Sequence, residues 1–148
     1  MFKHILIPTD GSRIANKAVE AGIQLAKTLG AKVTGYYAIE PMRPHIYGEG
    51  YLVTNKAMVK AWEQRAREIG EMHMEKITKA AQAAGVPFSA MMTIAETPYE
   101  GIIEAARKQK CDAIFMASHG RRGLEQFIMG SVTHKVLSGS KLPVLVYR

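Results

Sequence analysis

The chain contains one cysteine, Cys111, so an intrachain disulfide is excluded. No spacing of histidine, cysteine and carboxylate suggests a structural zinc site. No His or acidic motif marks Cys111 as a nucleophile, and it reads as a small buried or half-buried thiol ahead of a strand. Long apolar runs are also missing. None approaches the ~18 residues needed to span a bilayer. The N-terminal run stops at Pro8 and Asp10, too short for a signal h-region and without a small-residue cleavage site after it. The expectation is a cytoplasmic protein with no membrane partner.

Blocks of like charge are absent as well. The formal net charge is +7, which could favour nucleic acid or an anionic ligand. The basic residues are scattered, however. Lys3, Arg13, Lys17, Lys27, Lys32, Lys56, Lys60, Arg65, Arg67, Lys76 and Lys79 mostly fall where a helix shows its solvated face. None of the usual nucleic-acid modules is visible, so that class of partner is not expected. The one local basic cluster is Arg121-Arg122. With 47% apolar and 22% charged residues, disorder is not expected either.

What is present fits one domain over residues 1–148, long enough to bury a sizeable core. Residues 3–8 (Lys-His-Ile-Leu-Ile-Pro) read as a short buried strand, since Ile5-Leu6-Ile7 is continuous rather than alternating. Ser12 can cap a helix with Ala15, Ala18, Val19, Gly22, Leu25, Ala26 and Leu29 at three-and-four spacing and Gly30 as its stop. Residues 32–39 form a β-branched and aromatic strand. The segment after it, to Gly50, reads as a loop. A long helix is predicted from about Thr54 to Gly85, with Met58, Trp62 and Met72 in its core stripe. Residues 87–94 are a third strand. Thr97, Pro98 and Glu100 have the order of a capping box, opening a helix that runs to about Gln109. A fourth strand covers 113–117, a short helix 131–138, and a fifth strand 142–147.

Five strands alternating with four helices predict a three-layer, doubly wound α/β domain: an open, mainly parallel sheet in the flavodoxin-like order 3-2-1-4-5. Ligands of such sheets bind beyond the carboxyl ends of the strands, where the winding reverses. Strands one and four are then neighbours. Pro8-Thr9-Asp10 meets the stretch Ala117-Ser118-His119-Gly120-Arg121-Arg122-Gly123, which runs on to Gly130-Ser131-Val132-Thr133. A glycine-bearing loop that opens into a helix start can cradle a phosphate, because the backbone approaches closely and the first amides of the helix are unpaired.

With these two loops side by side, the chain resembles the universal stress protein family, of the UspA type. The resemblance spans essentially the whole chain: Ile-Leu-Ile-Pro-Thr-Asp-Gly-Ser near the start, Tyr-Ala-Ile-Glu at 37–40, Ser-His-Gly-Arg-Arg-Gly-Leu through Met-Gly-Ser-Val-Thr-His-Lys-Val-Leu, and the closing Leu-Pro-Val-Leu-Val-Tyr. ATP-binding members carry Gly-x2-Gly-x9-Gly-[Ser/Thr]. Here the pattern is Ala117-x2-Gly120-x9-Gly130-Ser131, with alanine in place of the first glycine.

The resemblance implies a regulatory, stress-response homodimer that binds ATP, or AMP or ADP, with Mg²⁺. Thr9 and Asp10, after Pro8, would face the adenosine part, with Asp10 a candidate for the Mg²⁺ shell and no direct protein cage for the metal. The backbone at Ala38 would lie beside the base, with Met116 near it. Gly120, Gly130, Ser131, Val132 and Thr133 would hold the phosphates, chiefly through backbone amides and the hydroxyls of Ser131 and Thr133, with Ala117 and Ser118 also among the nucleotide-binding residues. From their own chemistry, either Arg121 or Arg122 could fold a planar guanidinium over the terminal phosphates, and a solvated loop is the equal alternative. The dimer would form through the last strand, from Pro143 to Tyr147, whose apolar edge needs cover.

Two other readings stand beside this one. The first is a nucleotide-free dimeric interaction module, expected if the crevice is closed at Ala117 or by the loop from Pro41 to Gly50. The second is a slow ATPase. For hydrolysis the sequence offers little: Gly130-Ser131 lacks the Walker lysine, there is no carboxylate pair, and neither histidine reads best as a base, since His119 better points out of a loop or meets a phosphate and His134 better lies on the outer face of the last helix. A Cβ at position 117 costs about 1 kcal/mol where φ must be positive and nothing at an ordinary strand end. Ala117 directly continues an apolar strand, so tolerance is expected.

Overall fold

The β1 strand, His4–Pro8, is buried along its whole length, because helices cover both faces of the sheet that it centres. The computed structural model describes residues 1–43, 55–120 and 129–148, and the backbone of 46–47 and 51–52. Helix α1, Arg13–Leu29, follows β1, with the Ser12 side chain accepting the Ala15 amide. It stops at Gly30 (φ 63°), where the left-handed backbone lets the next amides close onto the last turn. Strand β2, Lys32–Ile39, pairs parallel with β1 from His4↔Lys32 to Pro8↔Tyr36.

A two-stranded antiparallel hairpin then follows: β3, Ile46–Tyr47, and β4, Tyr51–Leu52. The sequence reads this stretch as loop, and two-residue strands are too short to leave an alternation pattern. Helix α2, Lys56–Ala84, starts at Asn55, whose carboxamide oxygen accepts the Met58 amide at 2.8 Å, and ends at Gly85 (φ 71°). The remaining elements are β5, Phe88–Ile94; α3, Pro98–Lys108; β6, Ala113–Ala117; α4, Ser131–Gly139; and β7, Val144–Tyr147.

The main sheet runs β5-β2-β1-β6-β7 with every pair parallel. This is the predicted 3-2-1-4-5 order once the hairpin is set aside. Strand alternation divides the core in two. Ile5, Ile7, Val33, Phe115 and Ala117 pack with Val19 and Ile23 of α1 and Met74 and Ile77 of α2. Leu6, Tyr36, Ile114 and Met116 pack on the opposite face with Ile102 and Ala105 of α3 and Val136 of α4. Cys111 is buried in this second cluster, where desolvation pushes its thiol up to about 11, so it stays protonated.

Two sequence expectations change here. Met58, Trp62 and Met72 are not core: they are 42%, 49% and 58% exposed. The buried stripe of α2 is Gly70, Met74, Ile77 and Ala81. Up to Ile69 the helix has no fully buried residue; Ala66 and Ile69 pack half-buried against the core, and Met58 and Trp62 do not. The capping box at Thr97 is also not formed as drawn. Its hydroxyl caps no amide and instead donates to Glu100 Oε2 at 2.5 Å.

Candidate functional site

The Thr9 amide donates to the Tyr36 carbonyl at 2.9 Å just beyond β1. From there the turn holds itself: Thr9 Oγ1 accepts the Gly11 amide at 3.1 Å and Asp10 Oδ1 accepts the Ser12 amide at 2.9 Å. Gly11 has φ 76°, and a Cβ there would strike the imidazole of His73. His73 in turn lies against Tyr37, ring centroids 5.8 Å apart. Helix α2 therefore braces the turn that presents Asp10.

The second half of the site hangs from the end of β6. The Ser118 amide donates to the Tyr147 carbonyl at 2.7 Å, and the Gly130 amide to the Ser118 carbonyl at 2.8 Å. Thr133, 2% exposed, donates its hydroxyl to the Ala117 carbonyl at 2.9 Å. These three bonds fix the N-terminus of α4 against the strand end. Gly130 is the cap residue and no side chain caps the helix. By helix geometry the amides of Ser131, Val132 and Thr133 have no acceptor within the helix, and the dipole makes this end favourable for an anion. Gly130 must be small: a Cβ would lie 3.0 Å from His119 Cα and 3.3 Å from its Cβ.

Gly120 joins the two halves. A Cβ on it would collide with Asp10 Oδ2, so the loop after β6 rests directly on the carboxylate after β1. Between the halves lies a cavity of about 590 Å³, within the usual range for small-molecule sites. Of the residues expected from sequence, Pro8, Thr9, Asp10, Ala38, Met116, Ala117, Gly120, Gly130, Ser131, Val132 and Thr133 all line it. Ser118 does not. Its backbone is engaged on both sides and its Oγ lies 3.0 Å from His119 Nδ1, so it positions the loop. The Thr133 hydroxyl is likewise engaged with Ala117, which leaves its amide, without an acceptor in the helix, as its group for an anion. Arg122 lies outside the described residues, as do Arg121 and part of the loop from Pro41 to Gly50.

Ala117 itself sits in regular strand, paired with Tyr147. Among the described residues only Lys110, other than glycines, has positive φ. The position demands no glycine on backbone grounds, and the Ala117 methyl belongs to the core cluster that holds Ile7 and Phe115.

Sequence reasoning missed the far wall. Trp62, Arg65, Ala66 and Ile69 of α2, with Glu40 and Arg43 after β2, close one side, and Tyr99 and Lys135 stand on the other. Lys135 Nζ sits 5.2 Å from the centre of the Tyr99 ring. Tyr36, deeper in, donates or accepts with Thr93 at 2.7 Å, and burial pushes its phenol up, so it stays neutral. The cavity thus has one end of backbone amides and another where Trp62, Ala66, Ile69 and Tyr99 stand among the charged side chains of Glu40, Arg43, Arg65 and Lys135. That polarity suits a ligand with an anionic group and a planar one.

An open parallel sheet with a crevice at the winding reversal between β1 and β6 defines the class: a doubly wound α/β domain. More narrowly, the chain belongs to the universal stress protein family, whose model matches residues 1–148. It is 32% identical over 153 residues to universal stress protein MJ0531 of Methanocaldococcus jannaschii, across all of this chain and 83% of that protein. It is 30% identical over 165 residues to MJ0577 of the same organism, across 100% and 96% of the two. The solved structure of MJ0577 superposes with a TM-score of 0.73 over 99% of this chain and 95% of that one, at 27% identity. The same fold is seen in a universal stress protein in complex with cAMP (TM-score 0.73, 22% identity, 99% and 97% covered). An Archaeoglobus fulgidus member in complex with dAMP also shares it (TM-score 0.63, 14% identity, 100% and 98% covered).

Proposed function

We propose that this chain binds an adenine nucleotide, ATP or its relatives AMP and ADP, in the crevice between β1 and β6, and acts as a regulatory binding protein. The observation that carries the reading is the contact of Gly120 with Asp10, which joins an acceptor suited to ribose hydroxyls to an uncapped helix start suited to phosphate. Two proteins of the same fold were captured with cAMP and dAMP, ligands of the same chemical class. The cavity beside Ala117 speaks against closure at that residue.

Mg²⁺ fits as a companion of the phosphates. Among the described residues no group of three or more His, Cys, Asp or Glu could hold a metal ion. Asp10 is a single carboxylate beside the phosphate cradle, the arrangement by which Mg²⁺ is commonly held through one or two carboxylates and the ligand's own oxygens. The metal would neutralise phosphate charge, while Asp10, Gly120 and the α4 amides orient the nucleotide.

The regulatory unit is a homodimer through β7, an edge strand whose four residues are each half-buried and whose free edge calls for a partner. The domain, residues 1–148, is the protein's binding unit. Equilibrium dialysis of the full chain against ATP with Mg²⁺ tests the reading: saturable binding near one nucleotide per chain supports it, and no retention at millimolar ligand refutes it. Gel filtration tests the dimer, and a monomer at micromolar concentration contradicts it.

A further inference from the structure

Trp62 is the sole tryptophan of the chain and half of it is exposed, although it lines the cavity. Its indole N–H is already satisfied, donating to the Glu40 carbonyl at 3.1 Å. That bond sets the ring beside the backbone two residues past Ala38 and leaves the ring face as the part available for contact. A half-exposed aromatic with its polar atom satisfied is a ready stacking surface, whereas a core tryptophan buries its faces. The surrounding helix supports this reading. Up to Ile69, α2 has no fully buried residue; Ala66 and Ile69 pack half-buried against the core, and together with Trp62 and Arg65 they line the cavity, so Trp62 stands on the cavity side of a helix that the core anchors.

We infer that Trp62 is the stacking wall for the nucleotide's base, and that α2 thereby selects ligands carrying a planar heterocycle over bare polyphosphates. The inference rests on the nucleotide reading above and adds a specificity-determining residue to it. The two ends of the cavity then have separate roles. The amides of Ser131, Val132 and Thr133 recognise charge, and Trp62 recognises a ring. Stacking is sequence-tolerant because every base has a π-face, so purine nucleotides other than adenine should share this contribution.

The test uses the full chain, with ATP, AMP and inorganic tripolyphosphate as probes. Intrinsic fluorescence of the sole tryptophan follows binding in the wild type, and calorimetry follows it in the variants. ATP and AMP are expected to change the emission saturably. Trp62→Ala is expected to weaken both by about fivefold or more, the range set by base–aromatic stacking, with tripolyphosphate affinity unchanged. Trp62→Phe, which keeps a ring, should stay within about threefold of wild type. If ATP binds the wild type and Trp62→Ala equally, the stacking assignment is overturned while nucleotide binding stands. Equal weakening of ATP and tripolyphosphate also overturns it, because a general disturbance of the site then explains the loss. If neither ATP nor AMP binds the wild type, the underlying nucleotide reading fails, and the assignment with it.

Discussion

Replacing Ala117 by glycine restores the residue that the nucleotide-binding pattern carries, and the structure predicts that this does not improve the protein. Ala117 is 7% exposed, lies in regular strand opposite Tyr147, and turns its methyl into the cluster of Ile7 and Phe115. Removing the methyl forfeits about 0.8 kcal/mol of burial. Glycine within a strand adds roughly 0.5–1 kcal/mol of backbone entropy cost. The expected loss of stability is therefore about 1.5 kcal/mol, read as a lower urea midpoint at unchanged slope. Since the methyl faces the core, ATP affinity should change by less than about threefold. Calorimetric titration of the same preparation gives the second number. Unchanged stability combined with tenfold tighter ATP binding would refute the reasoning, because the methyl would then be crowding the ligand.

Three further outcomes follow from single contacts. Gly120→Ala should weaken ATP by about tenfold or more, because the new Cβ must displace the Asp10 carboxylate that it would strike; isothermal calorimetry that finds wild-type affinity would show the contact to be slack. Thr133→Val removes the donor to the buried Ala117 carbonyl and should cost about 1–3 kcal/mol of stability, measured by urea unfolding against Ser131→Ala as an exposed control. His4 gives a pH dependence. Desolvation, with Lys32 nearby, holds its imidazole below the ordinary 6.5, so the unfolded chain takes up the proton more readily. Its contribution is complete above that value and is lost as pH falls below it. The urea midpoint should therefore drop between about pH 7.5 and about pH 5, and His4→Gln should flatten part of that drop.

Much of this arrangement was legible in the sequence because it rests on local chemistry. Ser12, Gly30 and Gly85 punctuate their helices as their residue types require, and the alternation of strands and helices points to a doubly wound parallel sheet, for which the flavodoxin-like order is one choice and the one found. That order brings Asp10 to Gly130. The parts that were not legible depend on lengths and neighbours. The apolar spacing of Met58, Trp62 and Met72 looks like a core stripe, but spacing cannot tell which stripe of α2 meets the sheet, and the buried one is Gly70, Met74, Ile77 and Ala81. The hydroxyl of Thr133 looked free for phosphate, and only the fold shows the Ala117 carbonyl beside it. Thr97 and Glu100 have the right order for a capping box, yet the two side chains bond to each other. The lining contributed by Trp62 and Arg65 of α2 and Tyr99 of α3 draws on helices distant in sequence, and no short motif records it.

The central claim is that the crevice joining Asp10 to the start of α4 holds an adenine nucleotide. Its most direct test is a calorimetric titration of the full chain with ATP and Mg²⁺, run beside Gly130→Val, which puts a branched side chain where even a Cβ would lie 3.0 Å from the His119 backbone. The account predicts a saturable heat near one ATP per chain for the wild type and its loss in a variant that remains folded by circular dichroism. Wild-type protein that gives no heat at millimolar ATP, or a folded Gly130→Val that binds as tightly as wild type, would contradict it.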